Sequence, residues 1–370
     1  MTDEWLLDLD LGEALQENEI EIAQQIAGSI AATVRQRYAE QGPPARRDAH
    51  PKAHGCVSAE FRVEDVLPPH LAQGVFVPGK RYPAWIRFSN ADADAHRSDA
   101  KGDVRGMAIK LLEVPGEKIL EDDRFAPTQD FMMINDPVFL TDQAENYLKL
   151  VERINSSNPL VKLSAGLALG WKGAERALAA QSSRIANPLA TRYWSPVPYR
   201  LGAPPYKQAI KFSAAPCNPI ETQLPHDPDP NFLRQAMIDQ LQEGEAKFDF
   251  LVQPRTSDAM SVEDSHDEWK EAQAPFYKVA TITIPKQVFA TPERDALAEN
   301  LSFNPWHALP QHRPLGSINR IRRVVYKTIS SLRRELNNVS LKEPTAWVDP
   351  QQQEAHAIGP DRSQVGRRSA

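Results

Sequence analysis

The sequence predicts an α+β fold, an antiparallel sheet or barrel together with several helices. Short apolar runs with alternating character recur between residues 55–135 and again between 208–285, separated by polar or Pro/Gly loops. Longer runs with apolar residues at three- and four-residue steps flank and interrupt them. Thirty-one prolines against seventeen glycines point to long ordered loops rather than a helical bundle.

The elements follow in order. Residues 1–12 are acidic and read as loosely ordered. Residues 13–40 read as a helix, with Leu15, Ile20, Ile22, Ile26, Ile30, Val34 and Tyr38 on its apolar positions, and Gly42-Pro-Pro stops it. Strands are expected at 56–63, 74–77, 84–88, 106–112 and 130–134. Residues 140–180, rich in Leu and Ala, read as helical, and 208–213 alternates like a strand. A helix at 231–243 precedes strands at 248–253 and 278–285. Residues 291–317 read as an irregular crossover. Ser317 is the expected N-cap of a helix running to about Leu336, and the polar sequence after Glu343 reads as a frayed tail.

Composition limits the function. At 370 residues the chain can bury a large core, as one large domain or two ordinary ones. Charged residues make up 25% and hydrophobic ones 41%, ordinary for a globular protein. A net charge of -6 offers no case for nucleic acid or an anionic membrane as partner. Cys56 and Cys217 allow one disulfide, but so few cysteines fit a reducing, cytoplasmic setting better. The start has no basic and apolar signal pattern, and no run reaches the ~20 apolar residues of a membrane span. Phosphate loops, Cys-x-x-Cys, His-Glu-x-x-His and nucleophile elbows are all absent from the sequence.

The late helix carries the first chemical signal, Arg322-Arg-Val-Val-Tyr326 followed by Arg333. A helix turns ~100° per residue, so Arg322, Tyr326 and Arg333 share one stripe. Nearby positive charge favours a phenolate, and a phenolate can ligate haem iron. Taken alone, the stripe reads as a basic amphipathic helix with a tyrosine on its core face.

Other segments add to it. Ser302-Phe-Asn-Pro-Trp-His307 leads into this helix and resembles the catalase stretch before the proximal-ligand helix. Arg47-Asp-Ala-His50-Pro-Lys52 resembles the catalase distal-histidine segment. Trp85-Ile-Arg-Phe-Ser89, Asp103-Val-Arg-Gly-Met-Ala108 and Gln129-Asp-Phe-Met-Met-Ile-Asn135-Asp-Pro-Val-Phe139 resemble the blocks between. The five blocks keep the family's order from about residue 46 to 335. On this basis the chain is similar to catalases and catalase-related peroxidases.

The resemblance implies a catalase-like antiparallel β-barrel of eight strands with helices packed outside, and haem b between the barrel and the late helix. It implies Tyr326 as the proximal iron ligand, with Arg322 holding the phenolate ionised. It implies His50 as the distal acid–base, Asn135 as a donor to bound peroxide, and Ser89 as a group orienting the imidazole. Arg47, Arg87 and Arg333 match arginines that hold haem propionates, and Asp103 matches a channel acid. His54 competes with His50, since Gly55 follows it directly. His50 is preferred because Arg47 lies three residues before it, and that alignment leaves one extra residue between Gly55 and Phe61, a β-bulge. The implied layout is an N-terminal helical arm (1–45), a haem domain (46–340) and a polar tail (341–370).

Departures from the family shape the expected activity. Paired phenylalanines become Phe139 and Leu140, a phenylalanine becomes Met107, and a valine becomes Ala49. The wrapping and C-terminal segments of full-size catalases have no counterpart. The expectation is a haem peroxidase that reduces organic or lipid hydroperoxides, and hydrogen peroxide as well, through a ferryl intermediate with a small-molecule electron donor. Its expected state is a monomer or homodimer. The alternatives are fatty-acid hydroperoxide rearrangement, as in allene oxide synthases, and a catalytically silent haem-binding protein.

Overall fold

The computed structural model describes residues 7–340, apart from 157, 159, 162–163 and 218–222, together with 343–344. Among these residues the strands are β1 (Ala53–Val63), β2 (Arg81–Asn90), β3 (Arg105–Leu112), β4 (Thr128–Ile134), β5 (Tyr193–Trp194), β6 (Tyr199–Leu201), β7 (Gln208–Pro216), β8 (Ala246–Pro254) and β9 (Tyr277–Ile284). They pair antiparallel in the order β4-β3-β2-β1-β9-β8-β7, and β5 bonds to both β4 and β7. The ring therefore closes as an eight-stranded barrel, with β6 lying further along β7. Among the described residues closure leaves no long unpaired edge.

Alternation along each strand divides its residues between two faces. On β1, Val57, Ala59, Phe61 and Val63 enter the barrel core, while Cys56 faces an outer apolar cluster. Inside the barrel, aromatic rings interlock, with Phe61 at 5.1 Å from Phe250 and Phe131 at 5.0 Å from Phe212, edge to face. The helices are α1 (Glu19–Gln41), α2 (Ala144–Asn155), α3 (Gly170–Ser182), α4 (Phe232–Glu243), α5 (Pro292–Asn300) and α6 (Ser317–Asn337). One stripe of α6, Ile318, Ile321, Val325, Ile329 and Leu332, is buried, and α1 packs on α6 and α2 through Ile26, Ile30 and Val34.

Several expectations are corrected. The first helix starts at Glu19, because Asn18 is left-handed (φ 55°) and Glu13 is drawn into a buried ion-pair network. Residues 7–12 are held in place, with Asp8 Oδ1 2.7 Å from Lys207 Nζ, whereas residues 1–6 lie outside the described residues. Residues 74–77 form turns rather than a strand, since Gly74 is left-handed (φ 59°) and the His312 ring fills the space beside it. The 140–180 segment contains α2 and α3 as separate helices joined through a 3-10 stretch, Ser164–Leu169. The supposed crossover at 291–317 contains α5, capped by the Thr291 side chain, which accepts from Arg294 N.

Ser317 is the first residue of α6 and not its cap. Its N–H donates to Glu263 Oε2 at 2.8 Å and the Gly316 N–H donates to Glu13 Oε1 at 2.9 Å, so buried carboxylates cap the helix. The β1–β2 irregularity falls at His54, before Gly55, and pairing from Gly55 to Arg62 is unbroken. Cys56 and Cys217 are free. Of the expected tail, 341–342 and 345–370 lie outside the described residues, whereas Glu343 Oε2 accepts from Lys110 Nζ at 2.7 Å and Thr128 Oγ1 at 2.9 Å. Among the described residues no helix is long and apolar enough to cross a membrane.

Candidate active site

Strand register builds the floor of the site. Ser89, Gly106 and Ile134 form one row across β2, β3 and β4, and Arg87, Ala108 and Met132 form the next. The residues between them, Phe88, Met107 and Met133, belong to the barrel core, so these rows face outward. With Gly and Ala on the central strand, no large side chain rises from the middle of this outer wall. Helix α6 runs opposite, and a cavity of about 1300 Å³ including its mouth separates the two. Arg322, Val325, Tyr326, Ile329 and Arg333 line it from α6, Tyr147 from α2 and Phe303 from the stretch after α5.

His50 lies over the floor. It sits before β1 in the left-handed region (φ 60°), a conformation that costs a non-glycine residue about 1–3 kcal/mol. Its backbone is tied down on both sides, N–H to Ala91 O at 3.3 Å and C=O from Arg87 Nη2 at 2.8 Å. The ring Nδ1 is 3.0 Å from Ser89 Oγ. A β-carbon at Gly106 would stand 2.6 Å from His50 Nδ1, so only glycine lets the imidazole lie this close. His50 is half-buried and lines the cavity. Burial, then the charges of Arg87, Arg322 and Arg47, lower its pKa to about 3 and keep the imidazole neutral.

His54 sits elsewhere. It is 1% exposed, with Nε2 2.7 Å from Asn90 Oδ1 and Nδ1 3.8 Å from Asp99 Oδ2, and it does not line the cavity. Lys52, Asn90, Asp99 and Arg105 complete that buried polar knot between β1, β2 and β3.

Arginines dominate the rest of the lining. Arg87 is 3% exposed on β2, and Arg47 and Arg333 converge on Glu299 at the end of α5. Arg333 also donates to Ala45 O at 3.0 Å, and Arg47 to Leu301 O. Burial followed by the charge of Arg87 lowers Arg47 to about 9. Burial also lowers Arg87 and Arg333 to about 10 each. The Arg322 guanidinium lies 5.1 Å above the Phe139 ring. Arg47 Nη1, Arg87 Nε and Arg322 Nη1 are buried donors without a hydrogen-bond partner among the described residues. Such donors fit an anionic ligand. A floor with small residues at its centre, four arginines and a phenol on the opposite helix together fit a planar group bearing carboxylates.

Other expected residues stand apart. Asn135 is half-buried and outside the lining; its Oδ1 accepts from Arg105 N at 2.6 Å. Asp103 is also outside, accepting from Asp92 N at 3.0 Å, and burial raises its pKa. Leu140 is 36% exposed and outside the lining, while Phe139, Met107 and Ala49 line the cavity. Sequence reading missed Glu299, which lay in a segment taken as irregular, and Gly106 as the seat of the histidine. The Arg105-Gly106 pair is plain in the sequence, but no linear signal shows what packs on a glycine.

No family model matches the chain. A catalase-related peroxidase of Mycolicibacterium paratuberculosis is 26% identical over 274 residues, which span 71% of this chain and 82% of that protein. A fungal catalase structure superposes with a TM-score of 0.64 at 14% identity, covering 91% of this chain and 71% of that one. Catalase A from Saccharomyces cerevisiae gives 0.63 at 15% identity, covering 91% and 72%. The fold is catalase-like, a closed antiparallel barrel with helices around it.

Proposed function

We propose that this catalase-like chain is a haem-dependent peroxidase acting on organic and lipid hydroperoxides. The observation that carries the reading is a single cavity holding a neutral imidazole, a phenol and four arginines between the barrel wall and α6. Haem b fits these residues. Tyr326 would give its phenolate oxygen to the iron, with Arg322 one turn earlier on the same helix, and Arg47, Arg87 and Arg333 would hold the propionates. When bound, the haem supplies the redox chemistry of peroxide reduction, with electrons from a small-molecule donor.

The chain's own residues supply proton handling and fit. A neutral His50 takes the hydroperoxide O–H proton and returns it to the departing oxygen. The Ser89 hydroxyl, at 3.0 Å, holds the ring plane for both transfers. Asn135, outside the lining with its Oδ1 held by the Arg105 N–H, takes no part in this proton handling. Ile30, Met132, Ile134, Phe139 and Phe303 give the lining an apolar stretch that suits hydrocarbon tails.

The test is an absorption spectrum of protein produced with haem supply, followed by a substrate panel. A high-spin ferric spectrum that Tyr326→Phe abolishes or shifts is expected. Consumption of cumene and fatty-acid hydroperoxides should outpace that of hydrogen peroxide when a reductant is present. Absence of haem, or a spectrum indifferent to Tyr326, refutes the haem assignment. Fast disproportionation of hydrogen peroxide with no turnover of organic hydroperoxides refutes the substrate assignment.

A further inference from the structure

Methionine is an unusual lining for a cavity that handles peroxides, because a thioether is oxidised without first losing a proton. Three of the chain's six methionines, Met107, Met132 and Met133, border this cavity. They are not equivalent. Met107 and Met133 oppose each other in register, are 1% and 3% exposed, and point into the barrel core. Met132 is on the outer face, in the row with Arg87 and Ala108, and only half-buried. Its packing partners are the outer cluster around Trp85, Leu301 and Phe303, of which Leu301 and Phe303 also line the cavity.

We propose that Met132 is an oxidative modification site, which takes an oxygen atom from hydroperoxide held in the cavity and in doing so weakens binding of apolar hydroperoxides. The proposal rests on the peroxidase reading above, since that reading brings hydroperoxide to this cavity. The sulfur lone pair attacks the terminal oxygen of ROOH. An S–O bond forms and the O–O bond breaks. The hydroxyl proton passes to the departing alkoxide, giving ROH. The thioether is oxidised by two electrons to the sulfoxide and the peroxide is reduced to the alcohol. No additional reductant is needed, so the reaction competes when the electron donor runs short.

A thiol in the same outer cluster is poorly suited. Cys56 pairs with Arg87 in register and is 1% exposed, but it does not line the cavity. Burial pushes its thiol up to about 12, so it lacks the reactive thiolate. The sulfoxide would set a strong dipole beside Ala108 and Phe303, where the lining is apolar. Sulfoxides are reducible by dedicated reductases, so the change is reversible in principle.

The experiment treats haem-supplied protein with limiting cumene hydroperoxide in the absence of reductant. Hydroperoxide loss is followed alongside peptide mapping for added oxygen. Met237 and Met260, 0% and 6% exposed and away from the cavity, serve as internal references. Met132 should oxidise at least about tenfold faster than either, reflecting delivery of the oxidant to the cavity. The KM for cumene hydroperoxide should then rise about threefold or more, and Met132→Leu should abolish this rise. Hydroperoxide consumption with Met132 oxidised no faster than Met237 and Met260 overturns the proposal and leaves the peroxidase reading standing. Protein that holds no haem and consumes no hydroperoxide overturns the peroxidase reading, and this proposal with it. Oxidation at Met132 with an unchanged KM overturns its effect on binding.

Discussion

Gly106 decides where His50 lies, and the contact is tight enough to test. An added methyl would meet His50 Nδ1 at 2.6 Å and Ser89 Oγ at 2.9 Å, so Gly106→Ala must tip the imidazole off the wall and break its hydrogen bond to Ser89. Misplacing a proton-transfer group by about 1 Å costs on the order of a hundredfold in rate. Hydroperoxide turnover by Gly106→Ala should fall by about that factor in kcat, with haem content retained. Full activity would mean that the imidazole takes no part. The same locality explains what the sequence shows of this site. Arg87 and Ser89 are two residues apart on one strand, so their shared face follows from β-geometry alone. The choice between His50 and His54 has no such local basis. Each precedes or begins a strand, and what separates them is that His54 is claimed by Asn90 and Asp99 across the sheet.

Helix α6 is positioned by charge at its first turn as much as by its apolar stripe. Arg320 is 1% exposed, with Nε 2.6 Å from Glu19 Oε1 and Nη1 at 2.7 Å from Glu13 Oε1 and 2.9 Å from Glu263 Oε1. The same Glu13 and Glu263 cap the helix through the Gly316 and Ser317 N–H groups. One guanidinium thus joins the start of α1, the loop bearing Glu263 and the start of the helix that carries Tyr326. Replacing Arg320 with Met would leave Glu19 and Glu263 without this cation and Glu13 with Arg313 alone, which should cost about 3–5 kcal/mol of stability. Urea denaturation would show it as a lower midpoint, and an unchanged midpoint would contradict this account of the helix anchor. Sequence reading found the stripe on α6 and missed the anchor. Periodicity is written in neighbouring residues, while the partners of Arg320 lie 57 to 307 residues away along the chain.

For the molecule as a whole, buried histidines set the acid response. Burial lowers His50 and His312 to about 3 and His54 to about 4, from an ordinary 6.5. Above 6.5 neither the folded nor the unfolded chain protonates these rings, and their contribution is fully present. As pH falls through that value, the unfolded chain takes up protons that the fold refuses, so stability drops toward pH 4. Asp130, raised to about 6 chiefly by burial, acts in the opposite direction, as do Asp48 and Asp103, which burial also raises. The three imidazoles, however, begin to lose their contribution at a higher pH than these carboxyls ordinarily titrate. The urea midpoint at about pH 5 should therefore be lower than at about pH 7. A midpoint that holds or rises would mean that these rings accept protons in the folded chain.

By itself the sequence determined the fold class, most strands, the tyrosine stripe of α6 and the shared strand face of Arg87 and Ser89. Each of these is a repeat of two or of three to four residues, imposed by backbone geometry within one element. Tertiary structure decided which histidine faces the cavity, that Gly106 seats it, that Glu299 gathers Arg47 and Arg333, and that Arg105 takes the Asn135 carbonyl. It also decided that Met132 faces outward while Met107 and Met133 serve the core. Those outcomes depend on the register between strands and on where distant loops return to the barrel. Such relations exist only after the chain has closed on itself, because no local spacing encodes a neighbour brought in from elsewhere in the fold.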